Sequence, residues 1–469
     1  RTQAGVGPGT FVQFASYPTP SSGRYAIVGD FDGDGVQDVA TNNTGSGSIS
    51  VLYGTGGGSL STQLPFPAGT SAAESMAADF NNDGRLDIVC GNGGSNFVSV
   101  YIKGAGTTFT SSNIAVGGSN GRLAVADFNG DGNMDIVTRL LSSMVVMVFG
   151  NGDGTFQPAS NLFVVGGLND LESGDFDGDG DIDIIVANNA ANQLVLLQNN
   201  GVGVFSALPG FGTLLNAPHS LAVADFDGDG NLDVAVSNGS GGEIVVFRGN
   251  GNGTFQAADS YSVGIGSNPR AVVAADFNGD GRMDLAVVAP TTNMLCVLLR
   301  APAVYTPGAA FLPVAQYPGL TGGGVHGVTA GDVDNDGDMD IVVRYGNIGQ
   351  VTVFLNAIVP TTYYYQGGDA GLPSSWNSLP WGGGFAATSF ASPAQNFVVM
   401  GGGGVTTATV MTSLSIPPNV SFHVTGSSVL AVNTGVTITN NGFLHVSGGT
   451  VAGATLRLNG TGAIAGTSP

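Results

Sequence analysis

The stretch ADFDGDGNLDVAV at residues 224–236 packs four carboxylates into one short Gly-rich segment, and close copies bring the total in the chain to seven. They begin at Asp30, Asp79, Asp127, Asp175, Asp225, Asp276 and Asp332. Counted from the first aspartate of each copy, positions 1, 5 and 9 are always Asp, position 6 is always Gly, and position 3 is Asp or Asn. Side-chain oxygens at 1, 3, 5 and 9, with the main-chain carbonyl of position 7, can converge on one hard cation. Glycine at 6 permits the sharp turn that such wrapping needs. Carboxylates this close repel one another unless a cation sits between them.

The candidate ligands are Asp30, Asp32, Asp34, Val36 and Asp38 in the first copy, and Asp79, Asn81, Asp83, Arg85 and Asp87 in the second. The third supplies Asp127, Asn129, Asp131, Asn133 and Asp135, and the fourth Asp175, Asp177, Asp179, Asp181 and Asp183. Asp225, Asp227, Asp229, Asn231 and Asp233 follow in the fifth, then Asp276, Asn278, Asp280, Arg282 and Asp284 in the sixth. The seventh offers Asp332, Asp334, Asp336, Asp338 and Asp340. Position 7 enters through its carbonyl in every copy. Calcium suits such a set because it takes six to eight oxygens in flexible geometry, whereas magnesium demands a tight octahedron and the loops offer no Cys or His for zinc. About seven Ca²⁺ sites are expected. An EF-hand would need Glu at position 12 and flanking helices, but that position holds Thr41, Cys90, Thr138 or Val, followed by strand-like sequence.

The elements that must hold these loops are strands. The copies are spaced 49, 48, 48, 50, 51 and 56 residues apart, a period that signals stacked or radial repeats. Each loop lies between an apolar stretch such as SLAVADF and a Val/Ile-rich one such as LDVAVSN. A third stretch follows, as in GEIVVFRG, and then a Gly-rich turn into a fourth, as in GNGTFQAADSYSV. Four strands per repeat make one propeller blade. The seventh copy ends at VTVFLN (351–356) without a fourth strand, while GTFVQFASY (9–17) matches GTFQAADSY (253–261). The first residues are therefore expected to close the ring, giving an all-β fold with a seven-bladed β-propeller over 9–357, preceded by a short tail at 1–8.

Composition changes after residue 357, where Asp369 and Arg457 are the only formally charged side chains. Residues 358–384 read as a connector rich in Gly and aromatics, holding Tyr363, Tyr364, Tyr365, Trp376 and Trp381 as a seal between the propeller and the tail, with a sugar platform as the alternative. Residues 385–469 carry short Val/Leu/Ile/Thr stretches broken by Gly and Asn, the rhythm of a C-terminal β-solenoid, with a small β-sandwich as the alternative.

The whole chain has 469 residues and a net charge of −22, with 12 basic side chains, which argues against nucleic acid and anionic membranes as partners. Glu74, Glu172 and Glu243 are the only glutamates, and most aspartates fall in the loops, so seven calcium ions would bring the charge to about −8. Cys90 and Cys296 sit in apolar runs and read as buried free thiols. No run of 18 apolar residues suggests membrane insertion. A first residue of Arg fits a chain whose secretory signal has been removed.

The loop, the period and turns such as FGNGDGTFQ (149–157) resemble the FG-GAP/VCBS repeats of integrin α-subunit propellers and many bacterial secreted proteins. That resemblance covers roughly 9–357 and implies calcium in the hairpin between a blade's first two strands. It also implies extracellular adhesion or carbohydrate contact. The tail is similar to solenoid regions of bacterial surface proteins.

The turns leading into the first strands lie on the face opposite the loops. They carry Arg24, Arg122, His219, Arg270 and His326, a possible face for an anionic ligand, or else a set of caps on carbonyls of neighbouring blades. Glu74 and Glu172 occupy the same turns in blades two and four. No nucleophile or zinc constellation is evident, since His219, His326, His423 and His445 are scattered, and the chain is not expected to be an enzyme. Sequons at Asn42, Asn238, Asn252, Asn419 and Asn459 fit a glycosylated exterior. The resulting expectation is a secreted or cell-surface structural or adhesion protein, self-associating into a fibre or layer or contacting matrix and surface glycans. A carbohydrate-binding lectin is the alternative, and a polysaccharide lyase the remoter one.

Overall fold

The computed structural model describes residues 10–20, 22–61, 64–141, 144–164, 166–212, 214–264, 266–301, 311–312, 314–319 and 324–357, together with strands between 362 and 466. Two compact units are distinguished, one of them Phe11–Asn356. That unit is a seven-bladed propeller in which every blade is a four-stranded antiparallel sheet. Blade three is typical: Asn120–Ala126, Asp135–Leu140, Met144–Val148 and Ser160–Val164 pair in sequence order. The first strands of neighbouring blades pack side by side around a closed ring, from Ala26–Gly29 in blade one to Val325–Gly331 in blade seven and back.

The β-branched second and third strands are buried on both faces, because each blade is covered by a neighbour on either side. Outer strands such as Phe109–Ala115 and Asp259–Ser262 are largely exposed. The core is accordingly a set of sheet-on-sheet layers, one apolar cluster in each seam between blades. Cys90 and Cys296 are fully buried free thiols in two of these seams.

Closure follows the expected route. Thr10–Pro18 is the outer strand of blade seven, beside Gln350–Ala357. The Ser16 hydroxyl lies 2.8 Å from that of Thr352, and Thr19 N–H donates to Gly349 O at 2.8 Å. Phe11 meets Phe277 of blade six edge-on at 5.5 Å, as Phe156 of blade three meets Phe80 of blade two at 5.5 Å. The matched Phe255 of blade five likewise meets Phe176 of blade four, at 6.0 Å, so the GTF match corresponds to the same seam contact in space.

In the C-terminal unit, Asn396–Met400, Ser421–Thr425, Phe443–Ser447 and Ala463–Gly466 pair in parallel, with Phe397, Phe422, Leu444 and Ile464 at matching register positions. Thr407–Val410, Val429–Val432 and Thr450–Gly453 form a second parallel set, and Leu414–Ile416, Ile438–Asn440 and Leu456–Leu458 a third. Most of the connector lies outside the described residues, as do the side chains of Tyr363, Tyr364, Tyr365, Trp376 and Trp381.

Phe11 is 4% exposed and carries the closing contact, so Phe11→Ala is expected to cost about 3–5 kcal/mol in urea unfolding. Val12→Ala, at a neighbouring exposed position, should change stability by less than about 0.5 kcal/mol. Equal effects of the two would contradict closure through this strand.

Candidate metal centres and the opposite face

Each aspartate loop joins the first strand of its blade to the second, and two hydrogen bonds recur in all seven, from the N–H of position 6 to position 1 and from that of position 7 to position 5. The position 1 carboxylate is wrapped by the turn: Asp127 Oδ1 accepts from Gly130 N–H at 2.8 Å and Asp131 N–H at 3.1 Å, while Oδ2 accepts from Gly132 N–H at 2.7 Å. Position 5 accepts from the N–H of position 7, as in Asp131 with Asn133 at 2.8 Å. Position 4 is left-handed throughout, which explains why it is Gly in five copies and otherwise Asn82 (φ 57°) or Asn335 (φ 64°).

Position 9 has a second role that the ligand pattern alone did not suggest. Asp38, Asp87, Asp135, Asp183, Asp233, Asp284 and Asp340 are fully buried. One oxygen of each accepts from the N–H of position 2, at 3.0 Å for Phe128 and 3.1 Å for Phe176. The other accepts from the N–H that begins the turn after the third strand, at 2.8 Å for Gly150, Asn199 and Gly249. At Gly150 and Gly249 a Cβ would stand 2.3 and 2.2 Å from a loop carbonyl, so in these two blades the close approach of the turn needs glycine.

Position 2 was also overlooked, although its repetition was readable: it is Phe in six copies and Val333 in the seventh. Each of these side chains is buried in an interblade seam. In four copies its carbonyl reaches the next blade, accepting from Gly154 N–H at Phe80, from Gly253 N–H at Phe176, and from the side-chain amides of Asn199 and Asn356 at Phe128 and Phe277. The loop is therefore a hinge-pin between blades as well as a candidate cation cradle.

Carboxylate oxygens gather within 4.8 Å of one another at Asp30, Asp32 and Asp38, at Asp175, Asp177 and Asp183, at Asp225, Asp227 and Asp229, and at Asp332, Asp334 and Asp336. These are the blades with Asp at position 3. Where position 3 is Asn, its amide can turn to position 5 instead, as in Asn81 to Asp83 at 2.8 Å and Asn129 to Asp131 at 3.1 Å. Arg85 pairs with Asp83 at 2.6 Å and Arg282 with Asp280, so two loops bring a cation of their own. In blade seven the buried oxygens Asp334 Oδ1 and Asp338 Oδ2 have no hydrogen-bond partner, which leaves lone pairs for a cation. The donor set fits calcium: all oxygen, largely anionic, on loops that can adapt.

Burial pushes these carboxyls up despite their main-chain hydrogen bonds, and neighbouring aspartates add to the effect. Asp38, Asp284, Asp338 and Asp340 rise to about 7, and Asp135, Asp183, Asp233 and Asp334 to about 6.

On the opposite face, the five basic positions do not form one free ring. Arg122 is buried and clasps several blades: it pairs with Glu74 of blade two at 2.7 Å and Asp170 of blade four at 3.1 Å, and lies 4.5 Å from the ring centre of Tyr25 in blade one. Asp170, unremarked in the sequence, also accepts from Leu221 N–H at 2.9 Å. His219 Nδ1 is 3.0 Å from Arg270 O, the carbonyl-capping alternative realised across blades. Burial, with Arg122 and Arg270 nearby, pulls His219 down to about 4, and burial with Arg24 nearby also lowers His326. Arg24 is exposed and Arg270 half-buried. Asn42 and Asn238 are buried, Asn42 accepting from the N–H groups of Arg24 and Tyr25, so these two sequons are closed to glycosylation. Asn252 is exposed, and Asn419 and Asn459 lie outside the described residues.

FG-GAP-like repeats match at residues 30–90, 79–138, 175–236, 225–287 and 301–343, more than half of the chain. The chain belongs to the FG-GAP-like repeat family. No curated protein matches significantly. Among solved structures, the BBS1N–ARL6DN complex soaked with lead is similar at 12% identity with a TM-score of 0.55, covering 76% of this chain and 99% of that one. An Agrocybe aegerita lectin that recognises non-reducing terminal N-acetylglucosamine matches at 23% identity and a TM-score of 0.47, over 64% of this chain and 80% of its own. Virginiamycin B lyase from Staphylococcus aureus matches at 11% identity and a TM-score of 0.49, over 74% and 98%. At these identities the likeness concerns the fold. No helix among the described residues is long and apolar enough to cross a membrane.

The raised carboxyls give the metal-free protein a pH dependence of definite sign. Their folded values lie above the unfolded value near 4, so between about pH 4 and 7 the folded state binds more protons. Stability of the metal-stripped protein should fall as pH rises through that window and level off above it. His219 and His326 act in the opposite sense but are outnumbered. Calorimetry of metal-stripped protein from pH 5 to 8 should show a declining midpoint; a rising one would contradict the assignment.

Proposed function

We propose that this chain is a secreted or cell-surface structural or adhesion protein whose propeller is locked by calcium at its seven aspartate loops. The repeated loop geometry carries the calcium reading. In every blade the candidate ligands share one turn with the residues that fasten the seam to the next blade, so an ion there stiffens a seam as well as a loop. With dissociation constants of about 0.1–1 mM, roughly millimolar calcium contributes about 0.4–1.4 kcal/mol per site. Over seven sites that is comparable to the stability of a whole domain.

Extracellular placement is supported by the family and by calcium sites that suit millimolar concentrations. Residues 385–469 are read as a β-solenoid on the strength of the successive parallel pairings, and the scarcity of charge there leaves strand edges free to pair with another copy. We infer a fibre or layer subunit in which the propeller is the rigid body. No catalytic constellation is assigned.

Excess EDTA should lower the thermal midpoint by at least about 5 °C, and negative-stain images should show ordered assemblies in calcium that fray after chelation. An unchanged midpoint would overturn the structural-calcium reading, and dispersed rings in both conditions the assembly reading. The sites should also fill unequally. The loops of blades four and seven carry five aspartates each, whereas those of blades two and six carry arginines paired to position 5. Native mass spectrometry should show roughly five ions loading before the last two, and Arg85→Asn with Arg282→Asn should bring the late sites forward.

A further inference from the structure

The face opposite the aspartate loops holds a depression of about 260 Å³ where blades one, two and three meet. Three of the chain's 12 basic residues, Arg24, Arg122 and Arg139, line it together with Tyr25, Ser71 and Gly121. This concentration is unexpected in a protein of net charge −22. Small residues keep it open: a Cβ at Gly121 would point to Arg139 Nη2 at 3.6 Å and Ala73 Cβ at 4.0 Å, both in the lining.

The three arginines are unequally committed. Arg122 is 5% exposed and spends Nη1 and Nε on Glu74 and Asp170, yet its Nη2 has no hydrogen-bond partner. Arg139 donates Nη1 to Leu168 O at 2.7 Å, and its buried Nε is likewise without a partner. Arg24 is exposed and makes no ion pair among the described residues. Three positive groups thus face two ion-paired carboxylates. Burial, with Asp170 and Glu74 close by, pushes Glu172 well up toward its neutral form, so it does little to redress the balance. Burial first, and then the charge of Arg122, lower Arg139, while Asp170, Tyr25 and Glu74 oppose the shift.

We propose that this depression binds one small hydroxylated carboxylate, of the size of a single uronic acid residue, with Arg24 as its outer charge and Arg139 and Arg122 behind it. A guanidinium pairs with a carboxylate through parallel N–H donors, and the arginines supply them where the surrounding Asn120 and Thr44 are already spent on protein carbonyls. Tyr25, stacked under Arg122, gives the lining its one aromatic ring. The proposal goes beyond the calcium reading and does not depend on it, because the loops lie on the other face.

The test is calorimetric titration of the full chain, in calcium-containing buffer, with sodium glucuronate and with glucose as its neutral counterpart. Glucuronate should bind at least about tenfold more tightly than glucose. Arg24→Ala should weaken glucuronate about tenfold, because Arg24 is exposed and its loss leaves the blade clasp intact. Gly121→Leu should abolish binding by filling the depression. Thermal melts of both variants report folding. The proposal is overturned if glucuronate does not saturate, if glucose binds equally, or if a folded Arg24→Ala protein binds as the parent does. Failure here with calcium-dependent melting intact would remove the pocket and leave the metal reading standing.

Discussion

The carboxylate at position 9 of each loop is the constraint on which the propeller depends. It sits fully buried between two main-chain donors, one at position 2 of its own loop and one at the turn after the third strand. Those two bonds fix the loop against the turn after the third strand, at the same end of the sheet. They also hold position 2 so that its side chain enters the seam and its carbonyl meets the next blade. A buried carboxylate is costly unless hydrogen-bonded, and here the cost is offset by satisfying donors that would otherwise be stranded in two turns of the blade. Blade geometry and blade packing are therefore set by one side chain, repeated seven times.

The same carboxylate explains why the loops crowd negative charge. Wrapping a turn around the position 1 oxygens brings positions 3 and 5 close, and burial of position 9 keeps solvent from screening them. The protein without metal must resolve that crowding by holding protons, by turning an Asn amide inward as Asn81 does, or by laying an arginine across the loop as Arg85 does. Where neither an Asn nor an Arg is to hand, as in blade seven, carboxyls are pushed toward holding protons, and two buried oxygens are left without partners. A divalent cation meets the same demand without altering the turn. The variation among blades is thus a set of different answers to one electrostatic problem.

Much of this was legible in the sequence. The seven aspartate loops, their strand context and the closing match between GTFVQFASY and GTFQAADSY led directly to a seven-bladed ring, because turn chemistry and period survive without knowledge of long-range contacts. The double role of position 9 was not legible, since spacing alone does not separate an aspartate that faces a cation from one that accepts two main-chain N–H groups. The basic positions showed the same limit. Arg122 and His219 lay where a ligand face was expected, but their partners Glu74, Asp170 and the carbonyl of Arg270 come from other blades, at separations of about 50 residues. Asn42 and Asn238 match a sequon by local pattern and are buried by tertiary packing.

The two faces of the propeller divide their labour because a blade has two kinds of turn. Loops between first and second strands must be Gly- and Asp-rich to make the latch, so that face is committed to anionic chemistry by the fold itself. The turns on the other face carry no such requirement. There, Arg122 joins blades one, two and four through a ring and two carboxylates, an arrangement found among the described residues only here. An ion-pair clasp of this kind is a poor source of stability when buried, since desolvation offsets most of its attraction. Its physical consequence is orientation: it fixes the guanidinium and leaves one buried nitrogen uncommitted, in a residue that lines the depression together with Arg139. Departure from the repeat, in a chain so regular, is where a specific contact with another molecule has room to arise.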